Sequence, residues 1–142
     1  YGIFVGALLH DVGKTLTGFE VTLYPSDKEK AGTTWFADAA ADPDVELLAS
    51  RLLRTEVTRV LRREGLPVSR RDEVVDYVGT IPISDAILAE AEAIVPHVKT
   101  LDAIHLASLL HTGLDATIVT HDANMRAVAE VLGYPTVDPV AD

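Results

Sequence analysis

The sequence contains no cysteine, which excludes a disulfide framework and a thiolate metal site and suits a reducing compartment such as the cytoplasm. It has no glycine-rich phosphate loop and no serine in a nucleophile elbow. The longest apolar run, Ile3 to Leu9, is too short to span a bilayer, and it lacks the basic region of a signal peptide. We therefore expect a cytoplasmic chain with no membrane partner.

The length and the net charge of the chain further limit the classes of protein to which it can belong. A chain of 142 residues, 48% of them hydrophobic, can bury one core but is too short for two ordinary domains. The net charge of −10 opposes binding of nucleic acid through overall charge. Seven of the 12 basic residues are nevertheless arginines that cluster between positions 51 and 71. They are Arg51, Arg54, Arg59, Arg62, Arg63, Arg70 and Arg71.

This arginine cluster has two interpretations. A solvated helix face is the commoner origin of such a run of charge. Guanidinium groups also fit bidentate contacts with phosphate or with the carboxylates of a protein partner. We expect Arg51 and Arg54 in particular to contact nucleic acid.

Short apolar strands alternate with amphipathic helices from Val45 onward. Strands are predicted over 45–49, 81–83, 116–120 and 134–137. One helix is predicted with Ser50 as its cap and Gly65 at its end. Another is predicted over 86–95, capped by Ser84 or Asp85, and further helices over 69–78, 101–111 and 124–132. This alternation predicts an α/β fold with a mostly parallel sheet, whose sites form at the carboxyl ends of the strands. The first 44 residues differ, with a strand predicted over 19–24, a loop over 25–34 and a helix over 35–41.

Three acids lie where this interpretation places the mouth of the sheet. Asp122 follows the strand ATIVT, where it could hold a ligand or cap the next helix. Glu56 lies in mid-helix, where a carboxylate needs a partner, and an ion pair with Arg59 is the alternative to a functional role. Asp102 opens the helix TLDAIHLASLL, where it could favour the helix dipole beside a Thr100 N-cap or face the other acids.

The three carboxylates come from three separate elements, with no second kind of catalytic group beside them. Clustered oxygen ligands suit Mg²⁺ or Mn²⁺. Such ions activate water and neutralise charge when phosphodiesters are cleaved. The histidines are weaker candidates. His105 lies on an apolar helix face typical of a satisfied core histidine, and a continuing strand would point His121 away from Asp122.

Three segments resemble, in order and spacing, the PIN-domain ribonucleases of the VapC toxin type: SRLLRTEVTRVLRR, TLDAIHLASLL and IVTHDANMRAVAEVLGYPTVDP. The resemblance covers about residues 35 to 140. It implies a parallel sheet flanked by helices, a cluster of acids that binds Mg²⁺ or Mn²⁺, and hydrolysis of RNA. It also implies a cognate antitoxin as protein partner and a homodimer.

By position, the resemblance assigns the catalytic and metal-binding roles to Glu56, Asp102 and Asp122. The family opens with a strand that runs straight into an Asp, usually followed by Thr or Ser, and that Asp is the central metal ligand. Here GALLHDVGK stands in its place. Asp11 is therefore the candidate for the missing metal ligand.

GALLHDVGK also resembles the helix of HD-domain metal phosphohydrolases, in which His10 and Asp11 would bind metal and Lys14 would contact phosphate. That family needs another His upstream, and none precedes His10. We expect one PIN-like domain over residues 1–142, with an atypical, HD-like segment over 1–34 and a PIN body over 35–142. Three functions stay open: a toxin ribonuclease, a PIN-fold binding module that lacks the first metal ligand, and an HD-type phosphohydrolase.

Overall fold

The computed structural model describes residues 2–4, 36 and 38–138 of the chain. Its five strands form a single parallel sheet in the order β3-β2-β1-β4-β5, with helices in the connections between them. This arrangement confirms the α/β fold predicted from the alternation of strands and helices. No helix within these residues is long and apolar enough to cross a membrane.

The sheet is built from short strands. They are β1 (Gly2–Phe4), β2 (Glu46–Ser50), β3 (Gly79–Ile81), β4 (Ala116–Val119) and β5 (Thr136–Val137). The central strand is β1, in which Gly2 lies opposite both Glu46 of β2 and Ala116 of β4. The front of the chain therefore supplies the middle of the sheet, although its sequence looked unlike the rest.

Within the stretch 42–138, five α-helices accompany the strands. They are α1 (Leu52–Arg63), α2 (Asp72–Val75), α3 (Asp85–Glu92), α4 (Thr100–Thr112) and α5 (Ala123–Val131). A 3-10 turn, Val68–Arg71, leads into α2. Residues 36 and 38–41 are also helical, as predicted for 35–41. The strand predicted over 19–24, the loop over 25–34 and the residues His10, Asp11 and Lys14 lie outside the described residues.

Most predicted boundaries agree with the structure to within a residue or two, and three need correction. The helix predicted over 69–78 is a 3-10 turn followed by one α-helical turn, because β-branched Val74 and Val75 propagate a helix poorly. The helix predicted over 86–95 ends at Glu92, since the position before Pro96 disfavours helical geometry. The third strand lies at Gly79–Ile81 instead of 81–83. Ser84 does cap α3, because its hydroxyl accepts a bond of 3.2 Å from the N–H of Ile87. The N-cap predicted at Ser50 is wrong by one residue, because Arg51 takes the N-cap position of α1 without a side-chain bond.

The core consists of two clusters of buried apolar side chains. In the first, the inward face of α1 packs against β2, with Leu53 and Leu61 fully buried. In the second, α4 and α5 pack with β4, and Leu106, Ile118 and Met125 are fully buried. These contacts hold α1 and α4, the helices that carry Glu56 and Asp102, in fixed positions beside the sheet.

Gly113 ends α4 in the left-handed region, with a φ of +67°. We expect Gly113→Ala to lower the free energy of unfolding by about 1 kcal/mol, because a Cβ is strained in this backbone geometry. The strain is confined to the backbone, since an added Cβ would meet nothing within 4 Å. Urea unfolding measures the change. Gly113→Asn is the control, because Asn tolerates this region better, and an Ala variant as stable as the parent would contradict the expectation.

Candidate active site

The order of the strands places a crevice at the carboxyl ends of β1 and β4. The chain moves from β1 to β2 and β3 on one side, and then returns to β4 on the other side of β1. Ligands of open α/β sheets bind outside the strand ends at such a reversal. Two of the predicted site residues border this edge, since Asp122 follows β4 and α1 with Glu56 follows β2.

Asp122 is held in place by its own backbone and side chain. Its N–H donates to the hydroxyl of the buried Thr120 at 3.0 Å. Its Oδ1 accepts from the N–H of Met125 at 2.7 Å, which makes Asp122 the N-cap of α5. The predicted cap is therefore confirmed. A carboxylate has lone pairs on two oxygens, so capping through Oδ1 is compatible with a ligand bound by the same side chain.

Two substitutions of Asp122 separate its capping role from its charge. Asn caps helices as well as Asp, so we expect Asp122→Asn to preserve stability, whereas Asp122→Ala should lose about 1 kcal/mol. Thermal unfolding measures both. If Asp122 also binds a metal ion, Asp122→Asn should lose Mn²⁺ affinity while it keeps its melting temperature. If that variant binds Mn²⁺ as tightly as the parent, Asp122 is not a metal ligand and serves only as the N-cap of α5.

Glu56 on α1 meets His105 on α4. His105 Nε2 contacts Glu56 Oε1, and the two side chains are 1% and 13% exposed respectively. The alternative ion pair of Glu56 with Arg59 is not formed among the residues that the structure describes. His105 is thus a core histidine, as its apolar surroundings predicted, and its Nε2 has a hydrogen-bond partner. The sequence indicated that Glu56 needed a partner, but it did not identify one 49 positions further along the chain.

Asp102 lies in the first turn of α4 and is half-buried. The predicted N-cap at Thr100 is wrong. Lys99, whose backbone is extended, takes the cap position without a side-chain bond, and Thr100 is the first residue inside the helix. Asp102 is therefore close to the positive end of the helix dipole. His105 lies three residues after Asp102, on the same face of the helix. The contact between His105 and Glu56 is therefore one helical turn away from Asp102.

A second histidine–carboxylate pair joins the ends of β4 and β5. His121 Nδ1 donates to both oxygens of Asp138, at 3.1 Å each. Arg126 Nη1 lies 3.6 Å from the same carboxylate. The strand ends at Val119, so His121 does not follow the alternation expected for it. The contact between His121 and Asp138 consequently connects the loop that carries Asp122 to the end of β5.

The arginine cluster is only partly explained by contacts within the chain. Arg62 and Arg63 lie in the last turn of α1, where they favour the helix dipole, and Arg71 Nη1 donates to the Thr58 hydroxyl at 3.0 Å. Arg51 and Arg54 are exposed at the opposite end of α1, which is the end next to β2. Neither forms an ion pair with another described residue.

The described residues do not by themselves form a closed metal site. No group of three or more His, Cys, Asp or Glu side chains among residues 2–4, 36 and 38–138 is arranged to hold a metal ion. The chemistry of Glu56, Asp102 and Asp122 fits Mg²⁺ or Mn²⁺, because all three offer carboxylate oxygens. The described part of β1 is Gly2–Phe4, and the first acid that follows it in the sequence is Asp11, which lies outside the described residues.

Comparison with known proteins agrees with this architecture. The family model described as PIN domain matches residues 21–131. The chain is 30% identical over 95 residues to Ribonuclease VapC46 of Mycobacterium tuberculosis, an alignment that covers 65% of this chain and 73% of that protein. It is similar in fold to a solved toxin-antitoxin complex from Klebsiella pneumoniae, with a TM-score of 0.61, 19% identity and 98% of each chain covered. The family match begins inside the segment predicted to be atypical and excludes GALLHDVGK, so the HD resemblance gains no support from it.

Proposed function

Because the chain belongs to the PIN-domain family, we propose that it is a metal-dependent endoribonuclease, the toxin of a toxin–antitoxin pair. Its similarity to Ribonuclease VapC46 supports the ribonuclease activity, and its likeness to a chain of the Klebsiella toxin-antitoxin complex supports an antitoxin partner. The observation that carries the proposal is the contact between α1 and α4. It joins Glu56, through His105, to the helix face that presents Asp102.

In this proposal Glu56, Asp102 and Asp122 bind Mg²⁺ or Mn²⁺, with Asp11 as a further ligand. The ion, when bound, would activate water and neutralise charge on the scissile phosphodiester. The chain's own groups position the substrate. Arg51 and Arg54 contact phosphates of the RNA, which a guanidinium binds through paired N–H donors.

The remaining proposals concern assembly and location. We propose one PIN-like domain over residues 1–142, a homodimer in the cytoplasm, and an antitoxin that neutralises the ribonuclease. The parallel pairing of β1 with β2 and β4 supports the single domain, because the sheet joins residues 2–4 to the PIN body.

Calorimetry with Mn²⁺ tests the proposed site directly. We expect the parent chain to bind Mn²⁺ and its melting temperature to rise in millimolar Mn²⁺, because an ion that binds only the folded state stabilises it. RNA cleavage that stops with EDTA and resumes with added Mn²⁺ would link the ion to the activity. A chain that cleaves RNA equally well in EDTA would contradict the metal dependence.

A second candidate function is a PIN-fold binding module without catalytic activity. It is favoured by one observation: the first acid in the sequence after Gly2–Phe4, the described part of β1, is as far along the chain as Asp11. This alternative predicts no change of melting temperature in Mn²⁺ and no cleavage of RNA. It also predicts that the antitoxin would still bind.

A further inference from the structure

His105 and Ser108 are the two buried polar residues of α4, whose other buried side chains are apolar. The neighbours of His105 on α4, Leu106, Ala107 and Leu109, are fully buried, and His105 itself is 0% exposed. An ionised carboxylate accepts hydrogen bonds and cannot donate them, so the contact with Glu56 has His105 Nε2–H as its donor. Replacing a buried pair of ionisable side chains by apolar ones of similar volume is often neutral or stabilising. Packing alone therefore does not account for the pair.

The geometry points to a role for His105 within the proposed metal site, and this inference rests on the proposed function. We infer that His105 is a positioning residue, which fixes the Glu56 carboxylate of α1 in register with Asp102 of α4. His105 lies one turn after Asp102 on the same helix face. A single imidazole thus ties one proposed ligand to the helix that carries another. The contact uses Oε1, and a carboxylate has a second oxygen with which to bind an ion.

Two substitutions isolate this hydrogen bond from the bulk of the side chain. His105→Leu keeps an apolar volume and removes the donor, and we expect Mn²⁺ affinity measured by calorimetry to fall about 10- to 100-fold, as when other outer-shell partners of metal ligands are removed. His105→Gln places an amide N–H close to the position of Nε2, and we expect it to restore most of the affinity. If the Leu variant does not fold, His105→Asn replaces it, because the shorter amide cannot reach Glu56.

Ser108→Ala is the matched control. Ser108 is equally buried on α4, and its hydroxyl donates to the Ile104 carbonyl at 2.7 Å, within the helix. Its loss removes a buried polar group without touching Glu56. We expect the control to change the melting temperature at most and to bind Mn²⁺ as the parent does.

A double-mutant cycle shows whether His105 acts through Glu56. Glu56→Gln removes the carboxylate that His105 is proposed to position. In this background, His105→Leu should therefore cause no further loss of Mn²⁺ affinity. Parent-like affinity in His105→Leu, failure of His105→Gln to restore it, or an undiminished loss in the Glu56→Gln background would each overturn the inference.

The variant Asp102→Asn shows whether a negative result contradicts only the positioning role of His105 or the proposed metal site as a whole. If Asp102→Asn loses Mn²⁺ binding while His105→Leu retains it, the metal site stands and the positioning role is wrong. If the parent binds no Mn²⁺, or if Asp102→Asn and Glu56→Gln both bind it as the parent does, the proposed site fails and the inference fails with it.

Discussion

Asp102→Asn is expected to leave the fold intact and to lower RNA cleavage by at least ~100-fold, since removing even an outer-shell partner of a metal ligand costs roughly 10- to 100-fold. The amide is nearly the same size as the carboxylate but does not carry its charge. Asp102 lies half-buried in the first turn of α4, so the variant also loses a favourable interaction with the helix dipole, worth about 0.3–1 kcal/mol. Steady-state cleavage of an RNA substrate and the melting temperature of the variant test the two expectations separately.

Asp85→Asn is the matched control for this variant. Asp85 lies in the first turn of α3, is exposed, and belongs to no candidate site. It therefore loses the same kind of dipole interaction without affecting the proposed metal ligands. Parent-like cleavage in Asp85→Asn together with a large loss in Asp102→Asn would identify the effect as catalytic. An Asp102→Asn variant that cleaves RNA at the parent rate would remove Asp102 from the mechanism.

The largest loss of stability is expected from Leu106→Ala. Leu106 is fully buried where α4 packs with β4 and α5, so truncation removes apolar contacts and leaves a cavity. We expect the free energy of unfolding to fall by about 2–5 kcal/mol, a large share of the roughly 5–15 kcal/mol that holds a typical domain folded. Urea unfolding followed by circular dichroism measures the change.

Leu101→Ala on the same helix provides the comparison. Leu101 is 49% exposed, and its truncation should change the free energy of unfolding by no more than about 0.5 kcal/mol. Similar losses from both variants would show that α4 is packed differently from the arrangement described above.

The sequence predicted the fold best where a residue acts locally. Ser84 caps α3 and Asp122 caps α5, because each of these residues satisfies backbone groups within a few positions of itself. The position of β3 was wrong by two residues because pairing with β2 determines it. Gly79 lies opposite Leu48, and an added Cβ would come within 2.9 Å of Leu48 Cδ2. A glycine that permits close approach to a neighbouring strand has no local signature.

In the candidate site, too, the sequence predicted local features but not contacts between distant parts of the chain. The sequence identified three acids and the need of Glu56 for a partner, because a mid-helix carboxylate among apolar neighbours is costly to bury. It did not identify His105 as that partner or Asp138 as the partner of His121. Both contacts connect separate elements, and their geometry follows from packing that no single segment encodes.

The position of β1 in the sheet also affects how the chain can fold as it is synthesised. The central strand β1 precedes both of its neighbours in the chain, and the second of them, β4, is made only after α4. Contacts between distant parts of a chain form slowly, because a long loop must close before they contribute any stability. A ribosome-bound chain therefore cannot place β1 between both of its neighbours until β4 has been made, and β5 pairs with β4 later still. For the nuclease proposed above, the candidate site can assemble only after Asp122, which follows β4 in the chain, has been made.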